Sequence, residues 1–323
     1  MIVSAPRVLL LCMAVGVIAT GAAVFFMSAR PGGEASVTVA DLTRCDIEGA
    51  ISDFDYPCLH DMIGKMLAEK PAHEIMREVT QAFGIACHPI GHVTGQEVYR
   101  KLGSAEAAFA ACVPTTCVSA CIHGVVGEAL FAAPSSSGSP EEWQHPSIDI
   151  VRAEGARLCE DLNACHTIGH LFMLFSGSHK EALDDCEKAA PEEHLWSCYQ
   201  GVFMEAFSGI FAESTEFGVE PVKEDYGQTL DNLLAPCDSL AAREQPACFN
   251  YLYMLHNRTF AALEPMSMEE RFARHSSACA TLSQGGARKS CFAGAGWSSA
   301  TMSMHGEISD GLERCISLSA AAD

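Results

Sequence analysis

The chain is poor in strand signals and lacks the usual catalytic signatures. Alternating Val, Ile and Thr patterns are few, which argues against a sheet. No Cys-x-x-Cys-His occurs, so covalent c-type haem is excluded, and no Cys-x-x-Cys marks a thioredoxin-like oxidoreductase. His73-Glu74 runs on to Arg77, where the helix of a zinc protease would place its second His. Gly-x-Ser-x-Gly, a Walker loop and Gly-x-Gly-x-x-Gly are also missing, and the run Gly285 to Ser290 has the wrong spacing to cradle phosphate. Positive charge is scarce: 20 Lys and Arg face 41 Asp and Glu, for a net charge of -21 and a pI near 4.9. Such a surface has no means of neutralising a phosphate backbone, which excludes a nucleic-acid partner, and it would repel an anionic leaflet.

Charge is missing altogether from Val8 to Met27, a run of apolar and small residues long enough to cross a hydrocarbon core of about 30 Å. This predicts an N-terminal membrane anchor or uncleaved signal over residues 1–30. The competing reading is a cleaved signal peptide. Its apolar region would be unusually long, and Ala19, Gly21 and Ala22 offer an indifferent cleavage site. The 16 cysteines argue for a body outside the cytoplasm, on a periplasmic or extracellular face. Only Cys12 lies within the run; the odd number that remains implies a thiol outside the pairing.

What the chain does have is a repeat. Cys87-His88-Pro89-Ile90-Gly91-His92 returns as Cys165-His166-Thr167-Ile168-Gly169-His170. Further on, Cys121-Ile122-His123-Gly124-Val125-Val126-Gly127-Glu128 aligns with Cys198-Tyr199-Gln200-Gly201-Val202-Phe203-Met204-Glu205. A duplication that only filled a core would be free to replace imidazoles and carboxylates by apolar groups, yet these stay in register.

A second regularity is a Cys followed by a large apolar residue, at Cys58, Cys121, Cys198, Cys248 and Cys291. Each has a Cys shortly upstream: Cys45, Cys112, Cys186, Cys237 and Cys279. The spacing suits a bond across a helix–turn–helix, so five stapled hairpins are predicted. Cys159 with Cys165, and Cys87 with Cys117, are further candidate pairs, leaving Cys315 over. Each short closure restrains the unfolded chain by about 3 kcal/mol in the chain-entropy view. The plainer alternative makes some of these cysteines buried apolar residues or metal ligands.

Helical periodicity recurs in Ile75 to Phe83, Ser104 to Ala111, Ile148 to Leu158 and Tyr251 to Leu263. The expected fold is therefore all-α, a solenoid-like array of disulfide-stapled hairpins with an internal duplication. Its expected divisions are the anchor (1–30), a linker (31–44), a first helical module (45–132), a Ser- and Pro-rich loop (133–147), a second module (148–215) and C-terminal hairpins (216–323).

Residues four apart share a helix face, so His88 with His92, and His166 with His170, can each chelate an ion. The two pairs could close one four-nitrogen site or hold two ions. Gly124 and Gly201 thin the face that carries Glu128 and Glu205, which would let a His-bearing helix come close enough for each carboxylate to bind metal or orient an imidazole. His123, replaced by Gln200 in the second copy, is a further candidate ligand, and His60 after Cys58 could be its echo. Imidazole suits copper or zinc; iron becomes plausible if both Glu coordinate, with haem between two His as a variant. The bland reading is that His at helix starts cap backbone and Gly marks only tight packing. Two functions follow: a metal-binding protein, with redox or hydrolytic chemistry open to it, or a non-catalytic scaffold that binds another protein.

Overall fold

Helix starts are written locally as caps. The Asp55 side chain accepts from the Cys58 N–H, Ser104 from Ala107, and Asp161 from both Asn163 and Ala164, while Ser267 and Glu270 close a reciprocal capping box. Gly177 and Gly209 end their helices in the left-handed region, at φ 71° and 66°. The computed structural model describes residues 36–47, 54–84, 87–114, 116–117, 119–131, 148–209, 222, 224–263 and 266–302. The chain forms two units, Met1–Thr38 and Val39–Asp323, and the architecture below belongs to the second. The predicted anchor, Val8 to Met27, and the predicted loop, 133–147, lie outside the described residues. Among the described residues no helix is long and apolar enough to cross a membrane.

After a short 3₁₀ helix, Val39–Cys45, come α1 (Tyr56–Glu69), α2 (Ala72–Phe83), α3 (Cys87–Leu102), α4 (Ala105–Ala111) and α5 (Ala120–Phe131). The second copy contributes α6 (Ile148–Leu158), α7 (Leu162–Ser176), α8 (His179–Ala189) and α9 (Glu192–Ser208). A 3₁₀ turn, Cys237–Ser239, then leads to α10 (Gln245–Leu263), α11 (Met268–Thr281) and α12 (Gly286–Met302). No strand forms among the described residues, only an isolated bridge between Thr229 and Asn232.

The long helices stack in chain order: α1 on α3, α3 on α5, α5 on α7, α7 on α9, α9 on α10, and α10 on α12. The intervening α2, α4, α6, α8 and α11 return the chain between them. This is the predicted helical-repeat arrangement, in which each unit buries its apolar face against its neighbours. Ile90 and Val93, Val125 and Val126, Ile168 and Phe172, then Val202, Phe203 and Phe207 fill the successive layers, all buried. All seven predicted disulfides are formed: Cys45–Cys58, Cys87–Cys117, Cys112–Cys121, Cys159–Cys165, Cys186–Cys198, Cys237–Cys248 and Cys279–Cys291. Cys315 lies outside the described residues.

Paired long helices touch backbone to backbone. A Cβ on Gly124 would sit 2.7 Å from the His92 carbonyl carbon, and one on Gly201 would sit 2.9 Å from the His170 nitrogen. Neither neighbour can swing aside, since both are helix backbone. Gly294 of α12 meets the Asn250 backbone of α10 in the same way, so a Gly three residues after Cys marks this contact in three pairs.

Gly124→Ala and Gly201→Ala are each expected to destabilise the oxidised protein by about 1–3 kcal/mol or more through overpacking. Gly64→Ala is the control: its Cβ would meet only Glu97 Oε2, at 3.6 Å, and a helical Gly→Ala change gains up to about 1 kcal/mol. Urea midpoints of the three variants check the contrast.

Candidate metal centre

The cap at Asp161 starts α7 so that His166 and His170 fall one turn apart on the face towards α5 and α9. His88 and His92 hold the matching places on α3, and His123 comes from α5, the helix between α3 and α7. All five rings are buried or nearly so.

Within each couple the two Nε2 atoms are 3.2 Å apart. Two nitrogens held at 2.0–2.1 Å by one tetrahedral ion would be about 3.3 Å apart. The opposite face of the rings is pinned. His88 Nδ1–H donates to the Cys117 carbonyl at 3.2 Å, His166 Nδ1–H to the Ser197 carbonyl at 3.3 Å, and His170 Nδ1–H to Glu205 Oε2 at 3.0 Å. Each of these bonds places the proton on Nδ1 and the lone pair on Nε2. His166 and His170 therefore present lone pairs to each other, an arrangement that a cation between them relieves.

His123 stands between the couples. Its ring centroid lies 5.3 and 5.4 Å from those of His88 and His92, and 5.6 and 5.7 Å from those of His166 and His170. One ligand atom each from His88, His92 and His123 falls within a 4.8 Å span, enough to hold a metal ion.

Burial disfavours the charged form of every ring. It lowers His88 to about 4 and His166 and His170 to about 3, and it holds His92 and His123 well below 6.5, with neighbouring imidazoles adding to the effect. The cluster is therefore neutral at physiological pH, the state in which imidazole ligates metal.

The two carboxylates, equivalent by sequence, part company. Glu205 meets His170, with both side chains 1% exposed, in the carboxylate–imidazole arrangement that orients metal ligands. Glu128 instead receives a forked pair of bonds from Arg100, Nε to Oε1 at 2.8 Å and Nη2 to Oε2 at 3.0 Å. Arg100 also reaches Glu97, which accepts from His60 at 2.7 Å, so His60 belongs to this charged group.

The cause is a slide between helices. In the first module Gly95 lies against the backbone of Cys121 and Val125; in the second, Cys198 and Val202 meet Gly169, the counterpart of Gly91 and so one turn earlier. The α9 helix is displaced along α7 by one turn, about 5.4 Å, relative to α5 on α3. The displacement brings Glu205 level with His170 and leaves Glu128 level with Arg100.

Sequence reasoning passed over a third buried imidazole couple. His256 Nε2–H donates to the Leu233 carbonyl, and His275 Nδ1–H donates to His256 Nδ1, each at 2.7 Å. His275 Nε2 then lies 3.6 Å from Cys291 Sγ, which is already bonded to Cys279. The two His are on α10 and α11 and share no spacing motif. Asn257, in the glycosylation-like triplet Asn257-Arg258-Thr259, is buried within α10.

No protein-family model, curated protein or solved structure matches the chain, so the chemistry of the site is argued from its own residues.

The depressed imidazoles set the acid behaviour of the metal-free protein. Below pH 6.5 the unfolded chain takes up protons that the fold refuses, so stability falls as pH drops from 6.5 towards 4, by on the order of 3 kcal/mol for His88 alone. Urea unfolding at pH 7 and pH 4.5, with chelator present, measures it. Equal stability at the two values would contradict burial of the rings as neutral imidazoles.

Proposed function

We propose that the chain is an extracytoplasmic metal-binding protein whose ligands are His88, His92, His123, His166 and His170. The observation that carries this reading is the facing of Nε2 atoms at 3.2 Å in both couples, with the outer nitrogens of His88, His166 and His170 already pinned. Glu205 orients His170 from behind, and Glu128 is held by Arg100. With both carboxylates so engaged, the donor set is nitrogen-only, which favours copper or zinc over iron. A porphyrin is disfavoured, because the rings crowd within 5.7 Å of His123 and leave no slot for a macrocycle.

Three imidazoles on a tetrahedral ion leave one position open for a small oxygen ligand or substrate, so a redox or hydrolytic role is open to the site. The seven disulfides fit an oxidising compartment. We assign the membrane attachment to Val8 to Met27, and no nucleic-acid partner to an acidic body of this kind.

Elemental analysis of untagged protein from an oxidising compartment tests the reading. Copper or zinc is expected in stoichiometric amount and should be lost from His92→Gln/His170→Gln at unchanged helical content. Metal-free wild-type protein that takes up neither ion would leave the scaffold reading, a braced surface for another protein.

A further inference from the structure

The five imidazoles are one too many for two plain chelates, and the odd one is central. His123 is 1% exposed and comes from the helix packed between the two that carry the couples. Imidazole rings bound to one tetrahedral ion have centroids about 5 Å apart, given nitrogen–metal distances of 2.0–2.1 Å. The couples themselves show 4.7 and 4.9 Å. His123 stands at 5.3 and 5.4 Å from one couple, with whose nitrogens one of its own shares a 4.8 Å span, and at 5.6 and 5.7 Å from the other, a few tenths of an ångström further off. A ring has two nitrogens on opposite sides, and one ring can serve two ions.

Resting on the metal-binding reading above, we propose that the site holds two ions, one chelated by His88 and His92 and the other by His166 and His170, bridged by the imidazole ring of His123. Binding of the second ion removes the remaining N–H proton of His123 to solvent. Each ring nitrogen then gives a lone pair to one ion, and no electron is transferred. The arrangement accounts for the one imidazole of the aligned stretches that the second copy lacks: two chelates need a single shared ring, and the second copy carries Gln200 where the first carries His123.

Copper(II) chloride added to metal-free, full-length oxidised protein tests the bridge by spin counting. Two equivalents are expected to bind, with the electron paramagnetic signal per copper falling several-fold as the second enters, because a bridging imidazolate couples the two spins. A pH-stat should record one further proton released at that step. His123→Gln should retain both couples and give the full signal from each copper it binds. If that variant fails to fold, His166→Gln/His170→Gln serves instead: it should bind one equivalent with undiminished signal. Wild-type protein that binds one equivalent, or two with full signal, overturns the bridge and leaves the metal-binding reading standing. Uptake of no copper and no zinc overturns both.

Discussion

The fold hangs on contact between helix backbones at glycine. Gly124 on His92, Gly201 on His166 and His170, and Gly294 on Asn250 set the distance between paired long helices, and no side chain could stand between them. That nearness has a chemical result. Imidazoles at or within one turn of the contact are pressed into the space between helices, out of water, and the outer nitrogens of His88 and His166 fall within reach of the Cys117 and Ser197 carbonyls. Burying imidazole is costly unless each nitrogen finds a use. A site that keeps five of them together departs from the apolar filling of the layers on either side, where Ile90, Val93, Phe172, Val202 and Phe203 behave as an ordinary repeat core.

Local features of the sequence translated directly into structure. Cysteine spacing named the five hairpin staples, because each of these bonds closes a short loop whose ends the helix–turn–helix geometry already brings together. The helical stretches around Val79, Val151 and Leu252 followed from apolar periodicity, and the four-residue His spacing put each couple on one face. These are properties of a segment and its near neighbours.

What could not be read depends on how helices lie against each other. The repeat aligns Glu128 with Glu205, but a one-turn slide gives them different partners. The slide traces to α3 having Gly at both 91 and 95, whereas α7 has Gly169 alone, with Met173 one turn on. His123 was visible as a departure from symmetry at Gln200, yet its place between the couples follows from α5 lying between α3 and α7. The His256–His275 couple is a third case: two rings from different helices, joined only by the way α11 folds back on α10.

The cystines of the described body all join residues at most 30 apart in the chain, and none reaches from the first copy into the second. Oxidation thus hardens each half separately and leaves their seam to side-chain packing across α5 and α7. That seam is where imidazoles from both halves gather, so any cation lodged there would act as a rivet, adding between the halves the kind of cross-tie that sulfur provides only within them.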